Sequence, residues 1–380
     1  MTMTFEDARH LLARTGFGGT PADIRPLMAL SREAAVDHLL AGVGQAATST
    51  PPSSVLTALP PPDGLSGMLP EQKKALELAR HDQGLALKSW WYQECLATPS
   101  PLTERMTLFW HNHFTSSLHK VRWPAFLYRQ NVLLRRHALG SFRELLFHMA
   151  KDPAMILYLD TQSNHRTHPN ENFARELFEL FTLGEGHYTE RDIQEAARAF
   201  TGWHVALHQG GLFTFNRRQH DDGVKEVLGR TGRFDGDDIL ALTLEEPACA
   251  PYVTAKLWRE FVSDDPDPRE VARLAALFRH HDYQLAPLLR ELLTLPQFWS
   301  PETRGVLVKS PVELLVGTMR LLAGPITDTT ILAQYGKRLG QDLFDPPNVK
   351  GWPGGTRWIT SATLLDRWQL LQRMWRGSEL

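Results

Sequence analysis

Cysteine is nearly absent: Cys95 and Cys249 are the only two in 380 residues. That count excludes a disulfide framework and a thiolate-rich zinc module. Charge of one sign is also missing. Lys and Arg number 41 against 43 Asp and Glu, a formal net charge of −2, so there is no basic excess to signal a nucleic-acid or membrane-surface partner. No stretch approaches the ~20 apolar residues of a membrane span. The chain has no GxxxxGK[ST] phosphate loop, no GxGxxG opening a helix after a strand, no HExxH and no GxSxG elbow. A heme attachment motif is lacking too, which leaves a peroxidase-like helical protein as the weakest class. The first ten residues, Met1 to His10, carry neither a basic n-region nor an apolar h-region. The expectation is therefore a cytoplasmic protein as written.

What is present is ordinary globular composition, 42% hydrophobic and 22% charged. Helix starts recur. Thr20-Pro21, Ser100-Pro101 and Ser310-Pro311 each put a hydroxyl at the N-cap and Pro at the first helical position. Ser141 with Glu144, and Thr189 with Asp192, read as capping boxes. Gly16, Gly184, Gly202 and Gly324 supply stops. These signals predict helices over most of the chain, among them 69–97, 101–115, 169–183 and 190–201. One β signal interrupts them. Trp203, Val205 and Leu207 alternate with polar or small residues, Gln209-Gly210-Gly211 turns the chain, and Phe213 and Phe215 alternate again. Residues 224–228 suggest a further short strand. The expected fold is all-α, one large helical domain over 1–380, with a small antiparallel β-hairpin or three-stranded insert near 203–228. The Pro/Ser/Ala-rich stretch 44–66 is expected to be a mobile loop within it.

Three segments hold residue types that do chemistry. At about 100° per residue, Asn172, Arg175, Glu176 and Glu179 share one face of the 169–183 helix, with Glu171 just before them. That face reads either as a solvated ion-paired surface or as a carboxylate wall for acid–base or metal chemistry. His111 and His113 are two apart. They would chelate together from a strand but point about 160° apart on a helix. The turn His220-Asp221-Asp222-Gly223-Val224-Lys225 offers two metal-ligand types and a cation that could hold an anion; alone it reads as a solvated turn. Cys95 and Cys249 lie in apolar helical settings and read as core.

These segments occur in a longer ordered set. It comprises Phe109-Trp-His-Asn-His-Phe114, Asp152-Pro-Ala-Met155, Tyr158-Leu-Asp160 and Pro169-Asn-Glu-Asn-Phe-Ala-Arg-Glu-Leu177. It continues through Ala197-Arg-Ala-Phe-Thr-Gly-Trp203, Lys309-Ser-Pro-Val-Glu313, Pro346-Pro-Asn-Val349 and Gly351-Trp-Pro-Gly354. The set resembles the large bacterial family catalogued as domain of unknown function 1800, from about residue 5 to 370. The resemblance implies no settled activity. It implies that many relatives are secreted. It also implies a neighbour, a twin-arginine-exported phosphatase/sulfatase-like protein catalogued as domain of unknown function 1501. A periplasmic or secreted location, reached with a signal-bearing partner, is thus the alternative to the cytoplasm.

Two functional expectations follow. The first is a metal-dependent hydrolase or group-transfer enzyme acting on cell-envelope or polysaccharide-linked substrates. In it His111, His113, Glu176, His220 and Asp221 converge on one divalent ion (zinc, iron or manganese). Glu171 or Glu179 would be the base, and Arg175 or Lys225 would stabilise negative charge. The second is a non-enzymatic helical adaptor or export partner of the phosphatase-like protein.

Overall fold

The computed structural model describes residues 2–57, 67–322 and 328–376. Helices dominate it, and the strands form two separate two-stranded antiparallel sheets, so the fold is all-α with a small β insert. The capping chemistry works as expected. Thr4 with Asp7, Thr20 with Asp23, Thr189 with Asp192 and Asp235 with Asp238 close reciprocal capping boxes. Ser141 caps its helix from one side only, accepting from the Glu144 N–H.

The long helix Pro70–Ala97 is the central post. Helices Thr330–Arg338, Pro311–Leu322 and Pro124–Arg136 pack along it. Beside it, helix Pro101–His113 is buried almost throughout, with Trp110 fully enclosed. Within this dry interior Arg135 grips Glu104 through Nε at 2.6 Å and Nη2 at 2.9 Å. Trp91 gives the same carboxylate its indole N–H at 2.8 Å. A buried carboxylate is tolerated only when paired and hydrogen-bonded in this way.

Two expectations change. The 203–228 insert holds the expected hairpin, but the further strand it suggested pairs with a fourth strand beyond it and not with the hairpin. Strands Trp203–Ala206 and Leu212–Phe215 pair in one sheet, and Lys225–Val227 pairs with Arg230–Gly232 in another. Leu228 and Gly229, both at positive φ, make a tight two-residue turn, so the third strand finds its partner locally. Helices the periodicity did not signal also appear, including Leu118–Val121 and Pro153–Tyr158. They are too short to show a period.

The 44–66 stretch is described as far as residue 57. There Glu94 accepts from the backbone N–H of Thr48 at 2.8 Å and of Ser49 at 2.6 Å, and Val55 is buried in a short helix Ser53–Leu56. Residues 58–66 lie outside the described residues. Among the described residues no helix is long and apolar enough to cross a membrane.

Candidate functional site

The expected 169–183 helix begins at Asn172 and changes pitch halfway. Asn172–Glu176 is α-helical, and Leu177–Thr182 is a π-helix. Thr182 fits this wider turn by donating its hydroxyl to Leu177 O, five residues back. Leu183 N and Gly184 N both close on Phe178 O at 2.9 Å, and Gly184 ends the segment at φ +80°.

Widening leaves carbonyls for other elements to satisfy. Leu180 O accepts from the Tyr252 hydroxyl at 2.9 Å and from Lys256 Nζ at 3.2 Å, both on helix Cys249–Phe261. Phe181 O meets His113 Nε2 at 3.0 Å. A carbonyl can only accept, so the His113 proton is on Nε2. Burial, then the Lys256 charge, holds His113 well below the usual imidazole range. Burial also pushes the Lys256 ammonium down to about 7.

The polar face divides accordingly. Arg175 turns outward and binds Glu190 with both terminal nitrogens at 2.8 Å, and Glu171 at 3.0 Å. Glu179 is met by Lys350 at 3.2 Å, with Glu185 at 3.8 Å from the same ammonium. Lys350 stands in a Pro/Gly-rich loop fastened to the His111–His113 helix: Asn112 Oδ1 accepts from Trp352 N at 2.7 Å. Gly351 permits this contact. Its φ is +79°, and a Cβ there would fall 2.2 Å from Asn112 Oδ1.

Glu176 stands between the two ion-paired groups, partly buried. Among the described residues it has neither a hydrogen-bond donor nor an ion-pair partner. Burial, and then the charge of Glu179, raise its carboxyl to about 7. The Tyr158 phenol is held above its ordinary range by burial and then by the charges of Glu176 and Asp345. Glu176, Glu179 and Lys350 form one cluster. Spacing marked the two glutamates. Lys350 carried no signal from spacing, because a loop delivers it.

The other expected site residues go elsewhere. His111 and His113 are both helical, so they face apart. His111 is enclosed by Trp91 at 5.2 Å, Phe344 at 5.2 Å and Trp352 at 5.6 Å between ring centres. Among the described residues neither of its nitrogens has a partner, and burial pushes its pKa down to about 3. His220 Nδ1 contacts Thr201 O at 3.0 Å. Asp221 is held by Arg198 at 2.7 and 3.2 Å. Lys225 is buried and spends its ammonium on three carbonyls, of Asp221, Gly223 and Phe234, at 2.6, 3.1 and 2.8 Å. It fixes the turn and is not free to polarise a substrate. The expected convergence is therefore corrected. His113 reaches Phe181 O, beyond the 171–179 face, whereas the 220–225 turn closes on Arg198 and Thr201. Among the described residues no group of three or more His, Cys, Asp or Glu side chains is placed to hold a metal ion, so the proposed ligand set does not fit one shared ion. Both cysteines are free and buried.

A family model described as "Protein of unknown function (DUF1800)" matches residues 10–377. No curated protein and no solved structure matches the chain.

Proposed function

Because this chain belongs to that family of unknown function, whose description assigns no activity, we propose a function from the site itself: hydrolysis by carboxyl acid–base catalysis, with Glu176 as the acid. One observation carries it. Glu176 is a part-buried carboxyl raised to about 7 and left without a donor, beside a Glu179 that Lys350 ion-pairs. Two carboxyls whose surroundings differ this much divide acid and base roles. Glu176 protonates the leaving oxygen as the bond from carbon to that oxygen breaks. Glu179 takes a proton from the water whose oxygen forms the new bond to carbon. Glu179 then releases its proton to solvent, and solvent re-protonates Glu176. The substrate class proposed is polysaccharide-linked glycosides and esters, whose leaving oxygens need such an acid.

The test is a panel of chromogenic glycosides and esters, assayed with wild type, Glu176→Gln and Glu179→Gln of equal folded content. The expected result is turnover of one class, with a rate that falls as pH rises through about 7. Glu176→Gln should lower it by roughly 10²–10⁴-fold. Turnover unaffected by Glu176→Gln, or none with any of the panel, overturns the reading.

A second reading, as a partner of a phosphatase/sulfatase-like protein, rests on a different surface. Helix Ser361–Arg376 exposes Leu364, Leu365, Trp368 and Trp375, the last at 80%. Exposed apolar groups in a row suit a partner. Co-purification with the phosphatase-like protein, lost in Trp368→Ser/Trp375→Ser, is its test.

A further inference from the structure

A cavity of about 460 Å³ opens between helices Pro70–Ala97, Leu118–Val121 and Thr330–Arg338. That volume suits a small organic molecule. Its apolar wall comes from Leu85, Leu118, Pro124 and Ala333. Its charged wall has an uneven arrangement. Glu77 receives Arg80 at 2.7 Å and also Arg122. Asp342 receives Lys88 at 2.5 Å and Lys337 at 3.7 Å. Each of these two acids thus faces two cations. Arg80 is buried, and its Nε has no partner among the described residues. The third acid, Asp345, accepts from the Ser117 hydroxyl at 2.5 Å and the His119 N–H at 3.3 Å; these neutral donors leave its charge in place, so the wall sets Arg80, Lys88, Arg122 and Lys337 against three acids and keeps one positive charge in excess.

We propose that this cavity binds a small organic anion, a carboxylate or phosphate ester with an apolar body. The apolar part lies on Leu85, Leu118 and Ala333, and the anionic group takes the surplus charge of the Arg80/Arg122 or Lys88/Lys337 pair. Arg guanidinium suits carboxylate and phosphate oxygens by shape as well as charge. The binding does not depend on Glu176 acting as an acid.

The probe is anilinonaphthalene sulfonate, an apolar ring system with one fixed negative charge, titrated by fluorescence against the whole chain. Its uncharged counterpart, phenylnaphthylamine, is run beside it. Arg122 and Lys337 are exposed and Leu85 is half-buried, so substitutions there leave folding intact. Arg122 has φ 67°, which Asn tolerates. The expected result is one saturable site. Arg122→Asn/Lys337→Gln should weaken it about tenfold, the equivalent of ~1.4 kcal/mol. Leu85→Trp, which fills the cavity, should abolish it, and the uncharged dye should not respond to the charge variant. Unchanged affinity in the charge variant overturns the proposal. So does binding that survives Leu85→Trp but is lost in Trp368→Ser/Trp375→Ser, which puts the dye on the C-terminal helix.

Discussion

His113 and Phe181, 68 positions apart, are joined by a single bond of 3.0 Å from the imidazole Nε2–H to the carbonyl oxygen. That bond ties the buried Pro101–His113 helix to the π turn that presents Glu179. Removing it leaves a buried carbonyl without its donor. His113→Ala should therefore cost about 1–3 kcal/mol for the lost bond alone, and His113→Gln, which keeps a donor, should recover part of it. Urea unfolding of the three proteins measures this. Equal midpoints would show that the bond does not hold the turn.

His111 has the opposite standing. Both ring nitrogens are buried among aromatic rings, without a partner among the described residues. His111→Phe should be neutral or stabilising, because no made bond is lost and a dry polar group is removed. The pH dependence has a definite sign. The folded pKa, about 3, lies below the ordinary imidazole value of 6.5. The stability from keeping His111 neutral is present above 6.5 and lost as pH falls toward 3. The Tm difference between pH 7 and pH 4 should be smaller in His111→Phe than in wild type. A large destabilisation by His111→Phe would return His111 to the list of ligands.

For Glu176 the sign is reversed. Its folded pKa, about 7, stands above the ordinary carboxyl value of 4.5. The stability contributed by the protonated form is full below 4.5 and is lost as pH rises through about 7. Glu176→Gln should melt at the same temperature as wild type at pH 4 and higher than wild type at pH 8. Parallel melting curves across that range would contradict the unpaired carboxyl.

Arg135 and Glu104 are a buried pair, 1% and 0% exposed. Arg135→Met leaves Glu104 as an uncompensated buried charge and should cost about 3–5 kcal/mol. Arg135→Met/Glu104→Leu should recover most of that loss, since both charges are gone. A double-mutant cycle by denaturant unfolding reads both values.

Gly351→Ala tests the loop that carries Lys350. The Cβ would meet Asn112 Oδ1 at 2.2 Å, at a φ of +79°. The variant should lose on the order of 1–3 kcal/mol. Any activity should fall with it, because Lys350 no longer stands against Glu179. Unfolding midpoints and the glycoside and ester panel report the two effects.

Sequence by itself determined the helices and most of their ends. Thr20, Thr189 and Ser310 act on N–H groups three residues away, so their caps are legible in any short window. The hairpin at Trp203–Phe215 was legible for the same reason, being an alternation around a glycine turn. The two glutamates of the candidate site could be picked out because a helical repeat put them on one face. Only the tertiary structure decided the rest. A π turn forms where distant donors wait for its carbonyls, and Tyr252, Lys256 and His113 lie 72, 76 and 68 positions from the oxygens they meet. Whether His113 is a ligand or a donor, whether Lys225 is free or spent, and whether Glu176 has a partner all depend on which groups packing brings within 3 Å or so of each polar atom. Local pattern carries no record of those encounters, because they are set by burial and by long-range contact.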